Sequence, residues 1–312
     1  MLEKGPARHT LEVRMTHSLP VSLTKDRQGR SEDRVDCEIV TRVSLYPGVA
    51  RIDIDTEIEN RARDHRLRVH FPTGIRADRS HAEQHFGVVS RPIGVAEHDD
   101  TWFETPVATY PQRAFVDISD GERGFMLANR GLPDYEALEE PDGTITIALT
   151  LLRCVEWLSR DDLSTRRGHA GPGMHTPGAQ MQGRSKFQYS LIPHEGAWEN
   201  AYTHAHRFVR PLRAIRTSRG EGTLALSGSI VEIAPPEVVL SALKLAEDGD
   251  GVVARVYNIA AEPIEALVQL LLPFERVERI DLNEENPEPV ESEDRAVRFK
   301  LRPNEIATLK FR

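Results

Sequence analysis

From Arg51 to Glu59 the chain alternates without interruption: Ile52, Ile54 and Ile58 fall on one side, and Arg51, Asp53, Asp55, Glu57 and Glu59 on the other. Successive side chains of a strand point to opposite faces, so this period of two describes a half-buried β-strand and no helix. The same period returns at Leu67, Val69 and Phe71, at Ile145, Ile147, Leu149 and Leu151, and at Phe187, Tyr189 and Leu191. Turn-forming clusters such as Tyr46-Pro47-Gly48, Pro72-Thr73-Gly74, Ser119-Asp120-Gly121 and Pro141-Asp142-Gly143 separate the runs, and no βαβ alternation is visible. The expectation is an all-β chain. One helix is predicted from Glu195 to about Val209, where Trp198, Ala201, Tyr202, Ala205 and Phe208 recur at helical spacing ahead of Pro211.

With 312 residues, two domains are expected, one large and one small. The polar stretch Thr217 to Gly222 breaks the pattern, and short alternating strands resume around Val252–Tyr257, Val297–Leu301 and Ala307–Phe311. The boundary is placed there, giving a large antiparallel β-sandwich over 1–216 and a small C-terminal β-sandwich over 217–312. Hydrophobic residues at 39% and charged residues at 29% support ordered cores. The net charge of −9 is mixed along the sequence, which argues against binding a phosphate backbone, so nucleic acid is not an expected partner. Cys37 and Cys154 stand far apart and form no metal-ligand spacing, which fits a reducing cytoplasm. No stretch approaches the roughly 20 apolar residues that span a bilayer, so no membrane association is expected. The acidic run Asp281 to Asp294, with Pro287 and Pro289, reads as a solvated hairpin or loop.

The stretch from Leu151 to Arg184 is the most unusual. A strand-like Leu151 to Leu158 leads into Ser159-Arg160-Asp161-Asp162 and then a long connection rich in Gly, Pro and His. A connection of this length inside a compact domain is a binding or active-site loop, or else disordered. Asp161 and Asp162 are adjacent, so on an extended segment they point in opposite directions and cannot share one task. The Arg-Asp-Asp turn also reads as a salt-bridge device at a strand end, and Trp157 as core.

This segment, Leu151-Leu152-Arg153-Cys154-Val155-Glu156-Trp157-Leu158-Ser159-Arg160-Asp161-Asp162-Leu163 followed by Gly168-His169-Ala170-Gly171-Pro172, resembles the C-terminal region of the family 38 α-mannosidases. Other segments agree in order: Ser22 to Arg27, Asn60 to Val69, Arg113 to Asp117 and Tyr189 to His194. The resemblance implies a galactose-mutarotase-like supersandwich for the large domain. In that family an N-terminal α/β domain holds zinc and the aspartate nucleophile and is followed by a helical bundle; this chain resembles only the part after them. Nothing here is like the family's His-x-Asp zinc segment. No catalytic residue and no cofactor are therefore expected in this chain, and zinc belongs with the missing catalytic domain. Carried over, Arg160, Asp161, Asp162, Arg166 and Arg167 become substrate-binding candidates. Arg forks and carboxylates hydrogen-bond sugar hydroxyls, and Trp157 offers a flat apolar face to a pyranose ring.

The resemblance also implies partners: an α-mannosidase-type catalytic domain or chain, and carbohydrate. Because Leu11 to Met15 already alternates as if mid-sheet, an open sheet edge is expected there, with self-association as its consequence. A stand-alone carbohydrate-binding or assembly module is the alternative. His81-x-Glu83-x-His85 has a spacing compatible with a metal on one strand face, but its neighbourhood reads as an exposed polar strand or loop, and no fourth ligand supports it. His169 and His175 are no better placed. His204 and His206 face about 160° apart on a helix and read as surface or boundary residues. No Gly-x-Ser-x-Gly occurs in a strand-to-helix context. An independent mutarotase-like enzyme would need a His and a carboxylate converging in a cleft, with His70, His81 and His85 as first suspects.

Overall fold

The computed structural model describes residues 1–218, 222 and 227–312. The chain divides into two compact units, one of residues 1–83 and 89–211 and one of residues 84–88 and 212–312. The stretch read as a domain boundary, Thr217 to Gly222, lies partly outside the described residues.

The first unit is a two-layer antiparallel sandwich. Its larger sheet has nine strands in the order Glu3–Lys4, His9–Pro20, Arg34–Leu45, Ile52–Asn60, Gly183–Glu195, Arg123–Asn129, Phe115–Ser119, Arg79–Gln84 and Gly87–Pro92. The facing sheet has four: Arg66–Pro72, Ile145–Arg153, Asp134–Glu139 and Thr109–Pro111. The alternation at the start of the chain's central strand is realised in the fold, since Ile54, Thr56, Ile58 and Asn60 are buried while their neighbours are half-exposed. Ile58, Val116, Leu127, Tyr135, Ile147 and Leu149 meet in the core between the sheets. Each such side chain contributes about 1.5–3 kcal/mol by leaving water. Strand Ile145–Arg153 is buried on both faces. At its polar position Thr150, Arg66 donates to the hydroxyl at 2.7 Å, and across the two flanking strands Arg68 pairs with Glu136 at 2.5 Å.

The helix is shorter than its pattern predicts, spanning Tyr202–Val209 behind a single 3₁₀ turn at Trp198–Asn200. The sheet ladder claims the first residues: Glu195 still pairs with Arg123, and Gly196 turns the chain at a φ of +70°. Trp198, Tyr202, Ala205 and Phe208 are buried, and the helix packs on strands Arg123–Asn129 and Gly183–Glu195. Arg130 closes its C-terminal end, donating to the Phe208 carbonyl at 3.0 Å from Nε while its guanidinium lies 4.3 Å from the Phe208 ring centroid.

The second unit is a smaller sandwich. A three-stranded sheet (Val231–Ala234, Ile264–Leu270, Ala296–Leu301) and a five-stranded sheet (Val238–Leu245, Val252–Asn258, Ile306–Phe311, Val277–Ile280, Glu288–Val290) share a core that includes Val256, Val268, Leu301 and Leu309. The acidic run forms the turn and edge strand after Val277–Ile280, and most of it is exposed.

Candidate functional site

The long connection crosses from one sheet of the sandwich to the other. It leaves the four-stranded sheet at Arg153, opposite Arg66, and enters the nine-stranded sheet at Gly183, opposite Asn60. It doubles back on itself: the Leu158 N–H donates to the Met174 carbonyl at 2.9 Å, and the Thr176 N–H to the Glu156 carbonyl at 2.7 Å. At its far end Asp162–Leu163 and Arg166–Arg167 pair as a two-stranded hairpin. The buried Ser159 hydroxyl accepts the N–H groups of Ala170 and Gly171 at 3.0 and 3.2 Å, which fixes the return.

The base of the segment is held by a buried polar clasp. Asn60 Nδ2 donates to the carbonyls of Gln180 and Met181 at 3.1 and 3.0 Å. Gln180 and Asp64 exchange two hydrogen bonds, Nε2 to Oδ1 at 2.6 Å and the Asp64 N–H to Oε1 at 2.9 Å. Cys154 and His65 lie in the same cluster, where burial raises the thiol's pKa and lowers that of the imidazole.

Of the six candidate residues, Arg160 and Asp162 come together. The guanidinium meets the carboxylate bidentately, at 2.8 Å from Nε and 2.7 Å from Nη2, and this hydrogen bonding holds Asp162 below the usual carboxylate range. Arg27 joins the pair from 135 residues away, donating from Nη2 to Asp162 Oδ2 at 2.7 Å. Asp161 is turned outward, with His169 4.0 Å away. Arg166 is largely buried and pairs with Glu104 at 3.0 Å, while the Arg167 side chain is exposed. Trp157 is half-buried with its ring edge-on to His175, 5.4 Å between centroids, and His175 lies 3.5 Å from Glu156. Sequence reasoning missed Arg27 and Glu104 as ion-pair partners. It also missed Trp102 and Phe103, 53% and 74% exposed in the loop that the Thr105 N–H ties to the Thr165 carbonyl at 2.7 Å.

Between the Ser22–Arg27 turn and the returning half of the segment lies a groove of about 440 Å³, whose walls include Lys25, Arg27, Arg63, Asp64, Glu156 and His175. A second cleft, about 620 Å³ and lined by Arg76, Asp78, Asp120 and Glu139 among others, shares no residue with it.

Two histidine expectations are corrected. Strand Arg79–Gln84 is not exposed at Glu83, which is fully buried, accepts the Ala114 N–H at 3.0 Å and lies 2.6 Å from His206 Nε2. His206 is therefore no ordinary surface residue: the helix is laid over the sheet so that its imidazole reaches the Glu83 carboxylate. Among the described residues no three His, Cys, Asp or Glu side chains are arranged to hold a metal ion.

A two-sheet antiparallel sandwich with a pinned crossing segment and a smaller sandwich after it defines an all-β, double-sandwich protein, and comparison with known proteins specifies its family. The family model described as "Glycosyl hydrolases family 38 C-terminal domain" matches residues 1–162, and that described as "Glycosyl hydrolases family 38 C-terminal beta sandwich domain" matches residues 237–309. The chain belongs to glycosyl hydrolase family 38, as its C-terminal region. A putative mannosylglycerate hydrolase of Halalkalibacterium halodurans is 28% identical over all of this chain and 34% of its own length, and alpha-mannosidase 2C1 of Homo sapiens is 27% identical over 79% of this chain and 21% of its own. The crystal structure of an alpha-mannosidase from Enterococcus faecalis superposes with a TM-score of 0.80 at 31% identity, over 100% of this chain and 34% of that one. The chain thus spans about a third or less of the relatives it matches. No helix among the described residues is long and apolar enough to cross a membrane.

Proposed function

We propose that this chain is the non-nucleophile-bearing C-terminal portion of an α-mannosidase-like glycoside hydrolase, supporting a catalytic polypeptide and contributing the 153–184 segment to carbohydrate binding. The observation that carries the reading is its coverage: all of this chain aligns with only about a third of the bacterial relative and of the solved alpha-mannosidase. Zinc and the nucleophile belong to polypeptide outside these 312 residues, and the expected compartment is the cytoplasm.

Within this reading the fold's contribution is rigidity. A sugar subsite needs donors and acceptors held to within a fraction of an ångström, and elements that carry a two-sheet sandwich hold a loop better than a loop holds itself. The Asn60–Gln180–Asp64 clasp supplies that hold at the base, and the Ser159 bonds supply it at the return. Arg160, Asp162 and Arg27 offer planar, charged hydrogen-bonding groups to hydroxyls, and Trp157 an apolar ring.

Two measurements test this. The purified chain, alone and with added zinc, should not turn over an aryl α-mannoside; turnover that co-purifies with the chain would overthrow the reading. Titration with methyl α-mannoside, followed by chemical shifts of the Trp157 indole, should show saturable weak binding that Arg160→Ala abolishes. Unchanged shifts at all concentrations would remove the carbohydrate role.

A further inference from the structure

The tip of the crossing segment is one row wider than its own hairpin. Asp162 and Leu163 pair with Arg167 and Arg166, and the loop before Thr109–Pro111 adds a third row: Glu104 bridges to Arg166, and the Thr105 N–H donates to the Thr165 carbonyl at 2.7 Å. In antiparallel rows, residues opposite one another share a face and successive residues alternate between faces. Leu163, Arg166 and Glu104 thus share one face, where the largely buried Arg166 is paired with Glu104 at 3.0 Å. Asp162, Arg167 and Phe103 fall on the other, within roughly 10 Å at two row spacings. Exposure agrees with this placement, since Phe103 is 74% exposed, Arg167 is exposed and the Asp162 side chain is half in water.

These three groups differ in what they still offer. Asp162 accepts from Arg160 Nε and Nη2 and from Arg27 Nη2, which leaves about one of the four acceptor positions of a carboxylate open. Arg167 has no ion pair among the described residues and keeps the donors of its planar fork. Phe103 holds a large apolar ring in water beside them. We infer that Phe103 stacks on the apolar face of a pyranose, with Arg167 donating to hydroxyls at the sugar's rim and Asp162 accepting from one. The inference rests on the carbohydrate reading above and adds to the segment a wall from a loop outside it. A pyranose fits because its flat sides present C–H groups and its edge presents hydroxyls, the same apolar and polar pairing that this face shows. A docked protein surface fits less well, because covering the ring would also desolvate Arg167 and Asp162, and charged residues are depleted at the centre of protein interfaces.

The test is a nuclear magnetic resonance titration of the full chain with methyl α-mannoside, observing both the sugar and the protein. The ring C–H protons of the sugar should move upfield on binding, the signature of stacking on an aromatic face. Phe103→Ala should weaken binding about fivefold and abolish that shift, while Phe103→Tyr keeps both. Arg167→Met should weaken binding to a similar degree and leave the upfield shift in place. Both positions are exposed, so the urea midpoints of these variants should match that of the parent chain. Binding that Arg160→Ala abolishes but Phe103→Ala leaves intact would overturn the inference and keep the carbohydrate reading. No binding by the parent chain would defeat both. A mass that falls in Phe103→Ala by light scattering, with the sugar shifts unmoved, would assign the ring to a contact between copies of this chain and overturn the inference as well.

Discussion

His194 shows what a single buried residue can be made to do in this fold. Its ring lies against Gly124, where a Cβ would fall 2.0 Å from the imidazole, and its Nε2 is 2.7 Å from the fully buried Asp117 carboxylate. Burial pushes the His194 pKa down, but the hydrogen bond and charge of Asp117 outweigh it, and the net shift is upward. A pKa raised in the folded state stabilises below the unfolded value of about 6.5 and ceases to do so as pH rises through the folded value. We therefore expect the unfolding free energy to fall as pH rises above about 6.5 and through the raised folded-state value, and His194→Gln to flatten that slope in urea titrations; an equally steep slope in the variant would refute the assignment. Glu57 has the opposite sign. Hydrogen bonds from Arg184 and Arg42 bring its carboxyl down to about 2, so its contribution is present above about pH 4.5 and lost as pH falls toward 2. Glu57→Gln should make the acid transition shallower across that window, a difference readable by circular dichroism against pH.

At the scale of elements, the crossing segment depends on a clasp that no local pattern announces. Asn60 ends one strand, and its amide satisfies two carbonyls 120 and 121 residues away. Asn60→Ala would leave both carbonyls, the Gln180 one buried, without this donor, and we expect a loss of about 1–3 kcal/mol in unfolding free energy, together with faster amide exchange in residues 155–182. Loss of stability without faster exchange in that segment would show that Asn60 supports the sheet and not the segment. The helix makes the complementary point. Its apolar positions were legible at Trp198, Tyr202, Ala205 and Phe208, but its start was not, because the ladder of strand Gly183–Glu195 with Arg123–Asn129 outcompetes the first turn. His206 was misread for the same reason: helical spacing gives the angle between two side chains, and only docking on the sheet says that one of them lands on Glu83.

For the whole molecule, the two sheets of the first unit differ in width. Register places Leu11 opposite Val43 and Met15 opposite Ile39, on the core side of the nine-stranded sheet, yet Leu11, Val13 and Met15 are 46%, 39% and 44% exposed. The facing four-stranded sheet does not reach that far, and Glu3–Lys4 pairs only with His9 and Thr10 along the outer strand. An apolar strip on an open edge associates. The chain alone should show a concentration-dependent mass by light scattering, and Val13→Lys with Met15→Lys should give a single monomeric species. A monomer at all concentrations before substitution would sink this expectation.

Periodicity by itself determined the all-β class, the positions of the longest strands and the faces they bury, because alternation is a property of each strand alone. Composition determined that the chain folds, and the Leu151–Pro172 segment pointed to its family. Tertiary structure alone decided that Asp162 is shared by Arg160 and Arg27 and that Glu104 holds Arg166. These are contacts between residues distant along the chain, and their geometry is fixed by how two sheets stack and where the segment crosses between them, which no spacing along one sequence encodes.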